Sequence, residues 1–311
     1  MTRRHTARAV GIALGVLADR VVGDPRRFHP VAGMGTVAAA LERRVWSDSR
    51  VVGAVYTGTL VGGVAGLTAV ADRGGPRTTV LTTAAATWAS LGGTTLTRVV
   101  EDLGTLVGAD DLDAARDLVP SLCGRDPRSL DADGMVRAAV ESLAENTSDA
   151  TVGPLVWAAI AGAPGALGYR MANTLDAMVG YRSERHGRFG WASARLDDLA
   201  NLVPARVTGL AVVALGADRR GAVAAWRRDA GRHPSPNAGV VEAAFAGALG
   251  TGLGGLTVYP HGIEDRPRLG DGPPPTVDDL RRAVELSRRV QTVVAVAACG
   301  AALLVSRRSG R

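Results

Sequence analysis

The 311-residue chain contains no lysine, so all 36 of its basic residues are arginines. That excludes a Walker A loop, which needs Gly-x-x-x-x-Gly-Lys-Ser/Thr, and Schiff-base chemistry on a lysine amine. Any phosphate must be held by arginine forks or backbone amides. Aromatic residues make up only 4% of the chain although 46% of it is hydrophobic. The apolar mass is therefore small side chains, which let membrane helices approach closely. Cysteine is nearly missing: Cys123 and Cys299 lie far apart and match no metal spacing. Cys299, inside an apolar run, reads as a small buried hydrophobe. The net charge of +6 and pI of about 10.2 would suit nucleic acid. Yet no nucleic-acid module is present, nor a basic stripe with interleaved aromatics. The arginines sit at the ends of apolar runs, as a membrane surface requires.

What is present is a series of uncharged runs. Arg3, Arg4 and Arg8 precede an apolar stretch that Asp19-Arg20 closes, without a small-x-small cleavage pattern, so it reads as a retained first helix. Gly23-Asp24-Pro25 through His29-Pro30 forms a turn, with His29 either a turn residue or a catalyst, and a short helix follows over 36–44. Val51 to Ala71 and Thr78 to Thr97 run uncharged for 21 and 20 residues, each long enough to cross about 30 Å of hydrocarbon. The polar turn Asp72–Arg77 makes them an antiparallel hairpin, in a membrane or buried in a soluble core. Ala150 to Tyr169 is uncharged too, but Pro154 and Pro164 interrupt it. Val207 to Ala217 is too short to span unless its helix begins near Leu199, which would place Asn201 and Arg206 at membrane depth. Asp278 to Arg289 reads as an amphipathic helix before a last apolar run. The Pro/Gly/Asp stretch 260–275 reads as an exposed loop of little chemical interest. Arginine-rich ends favour cytoplasmic termini and an even number of spans. The expectation is an all-α, multi-pass integral membrane protein with polar cytoplasmic-side loops and helices. It is taken as one domain over 1–311, with an acidic extramembrane insert at 98–149 and a polar catalytic region at 170–240.

Polar residues concentrate in two places. In 137–149, Glu141, Glu145 and Asp149 recur every fourth residue, so three carboxylates share one helix side and repel unless a cation sits between them. Arg137 can pair with Glu141. That leaves Glu145, Asn146 and Asp149 as magnesium ligands or as a solvated face. In 173–206, Asp197-Asp198-x-x-Asn201 sets Asp197 and Asn201 at i,i+4 and Asp198 and Asn201 at i,i+3, so all three can face one point. Arg182, Arg185 and Arg195 lie close by in sequence. Magnesium carboxylates beside phosphate-binding arginines suit a phosphorylated substrate, whereas Asp176–Arg182 and Asp198–Arg195 pairs would make a structural ionic network. Tyr181, Phe189 and Trp191 can wall a large flat ligand, and His186 reads as a surface residue.

Glu145-Asn-Thr-Ser-Asp149, Asn173-Thr-Leu-Asp176-Ala-Met-Val-Gly-Tyr181-Arg182, Phe189 through Arg206, and His233-Pro-Ser235-Pro-Asn237 resemble, in this order, the adenosylcobinamide-phosphate synthase family of cobalamin biosynthesis. Gly23-Asp24-Pro25 and His29-Pro30 fit the same pattern, and the resemblance covers about residues 10 to 260. It implies a multi-pass protein of the cell membrane. Its reaction would join adenosylcobyric acid to (R)-1-aminopropan-2-ol or its O-phosphate through an amide, as a ligase using ATP and magnesium. Cobalt would enter only within the corrinoid substrate.

A carboxylate must be activated before an amine displaces the leaving group, and magnesium with arginine stabilises the charge on transferred phosphate. The resemblance thus implies Glu145, Asp149, Asp176, Asp197 and Asp198 for magnesium and catalysis, with His29 or His233 as base. Arg182, Arg185, Arg195 and Arg206 would hold phosphates. Asn146, Asn173, Asn201, Ser235, Asn237, Tyr181, Phe189 and Trp191 would shape the substrate site. Replacing Asp197 or Asp198 by Asn is expected to abolish amide formation. Two rival readings remain: a prenyltransferase-like membrane enzyme holding magnesium pyrophosphate, and a non-catalytic scaffold for other corrinoid-pathway enzymes.

Overall fold

The computed structural model describes the whole chain except residues 1, 26–28, 182, 260–261 and 309–311. The order is α1 (Thr2–Val22), α2 (Pro30–Val45), α3 (Arg50–Ala71), α4 (Pro76–Ser90), α5 (Gly93–Gly108), α6 (Leu112–Leu118) and α7 (Ala132–Thr147). Then come α8 (Gly153–Val179), α9 (Trp191–Leu215), α10 (Arg219–Asp229), α11 (Ala238–Leu249), β1 (Leu253–Tyr259), β2 (Gly262–Leu269) and α12 (Val277–Arg308). The chain packs as two compact units: residues 1–92, 149–203 and 294–311 form the first, and 93–148 with 204–293 the second.

In the first unit α1 packs on α4, and α3, α4 and α2 pack on α8. The α1–α4 contact is set by Gly11 and Gly15, one turn apart. A Cβ on either would come within 2.6 Å of the Cβ of Thr83 or Thr87, so only glycine permits this approach. α2, α3 and α8 close over Ala38, Tyr56, Leu60, Met171, Leu175 and Val179, with Phe189 fully buried among them. Its ring lies 5.0 Å from that of Tyr56.

Pro164 sits inside α8, and Gly162 just before it adopts φ 70°, ψ −151°. Proline lacks the amide that would serve the carbonyl four residues back, Ile160. Arg8 fills that role from α1, donating from Nη1 to Ile160 O at 3.1 Å and to Ala159 O at 3.3 Å. The expected interruption is therefore present at Pro164, where it has its own cap, whereas Pro154 stands in the first turn of α8 and interrupts nothing.

In the second unit α5, α6 and α11 pack on α7, and α10 on α11. All twelve residues of α11 are buried. Gly221 and Gly247 allow α10 and α11 to touch backbone to backbone, since a Cβ on Gly247 would overlap Gly221. β1 and β2 form an antiparallel hairpin with a bulge between Leu253 and Gly255. The stretch read as an exposed loop is thus partly a strand, β2; its partner β1 supplies the Leu, Thr and Val that favour pleated pairing. The all-α expectation holds for the helices and misses this hairpin. Pro260 lies outside the described residues.

Among the described residues, Arg50–Gly74, Ala132–Val179 and Trp191–Leu215 are long and apolar enough to cross a membrane. The span expected over 78–97 is not one helix. α4 ends at Ser90, Leu91 turns extended, and Gly92 N donates to Ala150 O at 3.0 Å. A Gly-Gly pair after a threonine-rich segment holds helix poorly. α2 starts at Pro30 rather than at residue 36, because His29 Nδ1 accepts the Val31 amide as its N-cap. The short apolar run 207–217 is carried by α9, whose helix begins well before Leu199.

Candidate functional site

Each unit buries a polar cluster that gathers residues named from the sequence. In the first, Asn173 of α8 stands between two carboxylates: its Nδ2 lies 3.3 Å from Asp197 Oδ1 on α9 and 3.5 Å from Asp149 Oδ2. Asn201, one turn beyond Asp197, donates to Asp197 Oδ2 at 3.0 Å. Tyr169 donates its hydroxyl hydrogen to Asn201 Oδ1 at 2.7 Å. Asp197 is 8% exposed and Asn201 1%. Tyr169 reaches this position because residue 153 is glycine; a Cβ there would fall inside the phenol ring. Arg170 supplies the local positive charge, with Asp149, Asp24 and Asp197 in electrostatic range and Nη1 3.4 Å from Asn173 Oδ1. Asp24 in turn faces His29 Nε2 at 3.3 Å. His29 Nδ1 is taken by the Val31 amide, so both ring nitrogens are engaged.

The other carboxylates named from sequence lie elsewhere in this unit. Asp198 turns to Arg195 on the same helix at 3.3 Å, an ion pair with partly exposed side chains. The expectation that Asp197, Asp198 and Asn201 share one point thus holds for two of the three. The side chains at i and i+4 stack along the buried face, while Asp198 points off it. Asp176 packs its carboxylate over Gly180 near Tyr181. Among the described residues no group of three or more His, Cys, Asp or Glu is placed to hold a metal ion. The five-carboxylate set is therefore not assembled as one cage; Asp149 and Asp197 are the pair brought together.

Arg185 and His186 both bind Glu42 of α2, at 3.1 and 3.0 Å, and Arg185 stacks 4.6 Å from the Trp46 ring. Burial would raise the Glu42 carboxyl, but the hydrogen bonds from His186 and Arg185 win and hold it below the usual range. His186, read as a surface residue, is thus a fastening of the loop before α9. The three expected wall aromatics occupy different settings. Phe189 is a core residue, Trp191 lies under Arg50 with the guanidinium 5.6 Å from its ring, and Tyr181 is exposed. Arg182 lies outside the described residues.

The second cluster is ionic. Glu141 of α7 pairs with Arg125 through Oε2, both side chains nearly fully buried, and accepts the Gly254 amide on Oε1 at 2.7 Å. The expected Arg137–Glu141 pair does not form, because Arg137 donates to the carbonyls of Gly254 and Leu256 on β1. Glu242 of α11 and His233 join the group, with Arg266 of β2 donating to His233 Nε2. Glu145 is in electrostatic range of Glu141, Arg125 and Arg266. Burial, then the Arg266 charge, lowers the His233 imidazole to about 4. A neutral ring fits this network, since a proton on Nε2 would confront the guanidinium. Arg206 donates to Asn237 Oδ1 at 2.7 Å, and Ser235 Oγ accepts the amides of Asn237 and Ala238 at the start of α11. Asn146 binds back to Ser142 O at 3.0 Å.

Sequence reasoning missed Tyr169, Arg170 and Asp24 in the first cluster, and Arg125, Glu242 and Arg266 in the second. The polar Tyr169-Arg170 pair ending an uncharged run was the available signal for the first. Arg266 had none, because its stretch read as loop.

A helical protein that carries convergent Asp, Asn and Arg side chains on long apolar helices falls in the class that builds its sites between helices. A family model described as "CobD/Cbib protein" matches residues 12–287, and the chain belongs to that family. The chain is 58% identical over 306 residues to "Cobalamin biosynthesis protein CobD" of Mycobacterium tuberculosis, covering 97% of each. Proteins of the same description from Chromobacterium violaceum and Geobacter metallireducens are 40% and 42% identical over 305 and 272 residues. These alignments cover 96% and 84% of this chain, and 97% and 86% of the relatives. No solved structure matches the chain.

Proposed function

We propose that this protein acts in cobalamin biosynthesis as a multi-pass enzyme of the cell membrane. It joins adenosylcobyric acid to (R)-1-aminopropan-2-ol or its O-phosphate, giving adenosylcobinamide or its phosphate. The names of its relatives support the pathway, and the three long apolar helices support the membrane. The observation that carries the chemistry is Asp149–Asn173–Asp197, two carboxylates held around one amide.

These residues fit magnesium, which is commonly bound by one or two carboxylates with substrate phosphates completing its shell. Asp149 and Asp197 would hold it, and when bound it neutralises the oxygens of the phosphate being transferred. Asn173 and Asn201 fix the carboxylate rotamers, and Tyr169 fixes Asn201. Arg170, beside the same carboxylates, offers guanidinium donors to a phosphate oxygen. The amine nitrogen then attacks the acyl carbon of the acid activated as acyl phosphate or adenylate: the C–N bond forms, the C–O bond to phosphate or AMP breaks, and the nitrogen gives up a proton.

The test incubates purified protein in detergent with adenosylcobyric acid, aminopropanol or its phosphate, and magnesium, with and without ATP, followed by mass spectrometry. An amide product that requires ATP is expected. Folded protein that gives no product under any condition would sink the synthase reading and favour a scaffold.

A further inference from the structure

Around Glu242, among the described residues, carboxyl groups outnumber guanidiniums. Three carboxylates, Glu141 and Glu145 from α7 and Glu242 from α11, face two guanidiniums, Arg125 and Arg266. His233 is neutral and contributes none. Glu141 is satisfied on both oxygens, by Arg125 and by the Gly254 amide. Glu242 is not. It is 1% exposed, and its Oε1 makes no hydrogen bond among the described residues. Its neighbours His233 Nε2 and Arg266 Nη2 both stand 3.6 Å away. A buried oxygen held only at ion-pair distance keeps the capacity to accept a further donor. With no lysine in the chain, no side-chain ammonium can serve.

We infer that Glu242 Oε1 and His233 Nε2 form the receptor for a primary amine, which arrives as its ammonium ion. An ammonium is compact and carries three donors, so it can serve both acceptors at once. Arg266 is the group that covers them: its side chain is 19% exposed while that of Glu242 is 2%. Rotation of this one long side chain opens the carboxyl, and the ammonium replaces the guanidinium at His233. Glu242 then takes a proton: an N–H bond breaks, its electron pair stays on nitrogen, and an O–H bond forms on Oε1. The amine is left with a free lone pair. Burial raises the proton affinity of Glu242 well above the usual carboxylate range, with Arg266 opposing and Glu141 and Glu145 adding to it. A carboxyl so tuned is suited to hold an amine proton. This assignment rests on the amide-forming reading, in which the amine is that of the amino alcohol.

The test is calorimetric titration of the full chain in detergent with 1-aminopropan-2-ol, and with propane-1,2-diol as the amine-free probe. Wild type should bind the amine and not the diol, and Glu242→Gln should weaken amine binding about ten- to hundredfold. Glu242→Asp, which keeps the carboxylate, should recover part of the loss and serves if the Gln variant melts early. Equal affinity in wild type and Glu242→Gln, or no preference for amine over diol, would overturn the receptor. Glu242-dependent binding without any corrinoid amide product would uphold the receptor and sink the synthase. A Glu242→Gln synthase at full rate would do the reverse.

Discussion

In the first unit's cluster the carboxylates are held by amides: Asn173 stands between Asp149 and Asp197, Asn201 clasps Asp197, and a tyrosine hydroxyl fixes Asn201. In the second unit they are held by guanidiniums, Arg125 on Glu141 and Arg266 beside Glu242. Amides orient a carboxylate without cancelling its charge, so the carboxylates gathered around Arg170 in the first cluster keep negative charge to offer a cation. Guanidiniums cancel charge, so the second cluster gains buried electrostatic cohesion and shows its function only where cancellation is incomplete. The difference teaches that the count of acidic residues says little about a site; what matters is the kind of group each one faces.

Replacing Asp197 by Asn tests the first half of that contrast and should have the largest effect. Product formation is expected to fall about a thousandfold, roughly 4 kcal/mol in transition-state terms, with the melting profile little changed. Near-normal turnover would remove Asp197 from the reaction. Arg125→Met tests the second half, because it strands the buried Glu141 carboxylate. Unfolding free energy should drop by about 3–5 kcal/mol, and Arg125→Met with Glu141→Leu should recover much of it. A single variant as stable as wild type would show that the pair is not what holds the cluster.

Acid should next act on the second cluster through His233. His233 titrates at about 4 in the fold against an ordinary 6.5. Its lowered value means that the neutral ring favours the fold, a contribution fully present above 6.5 and lost as pH falls through 4. The loss is on the order of 3 kcal/mol. His233→Gln should flatten the chemical-denaturation profile between those limits, and an unchanged profile would refute the assignment. The smallest effect belongs to Asp198→Asn. Its pair with the exposed Arg195 is worth under about 1 kcal/mol, so activity and stability should stay near wild type. Loss of amide formation in this variant would return Asp198 to the reaction and break the distinction drawn from its orientation.

Local spacing made part of this legible. The i,i+4 relation of Asp197 and Asn201 follows from helix geometry, as do the apolar runs of α3 and α9. What stayed hidden depends on partners distant in the chain. Glu141 has an arginine one turn earlier, and spacing alone favours that pair. The structure instead brings Arg125 from the preceding loop, because Arg137 is drawn to the carbonyls of β1. Arg266 was lost with its strand, whose proline and charges resemble a loop until pairing with β1 is seen. Phe189 read as a ligand wall because aromatics were few, whereas a scarce large ring is also what fills a core of alanine and valine.

Arg8 carries a consequence for handling the molecule. Its guanidinium is the cap for carbonyls set free at a proline 156 positions downstream in the numbering. The amino-terminal helix is therefore tied by this side chain to the bend of α8. Trimming the first eight residues would uncover two carbonyls at the bend of α8, and an affinity tag is better placed at the other end of the chain.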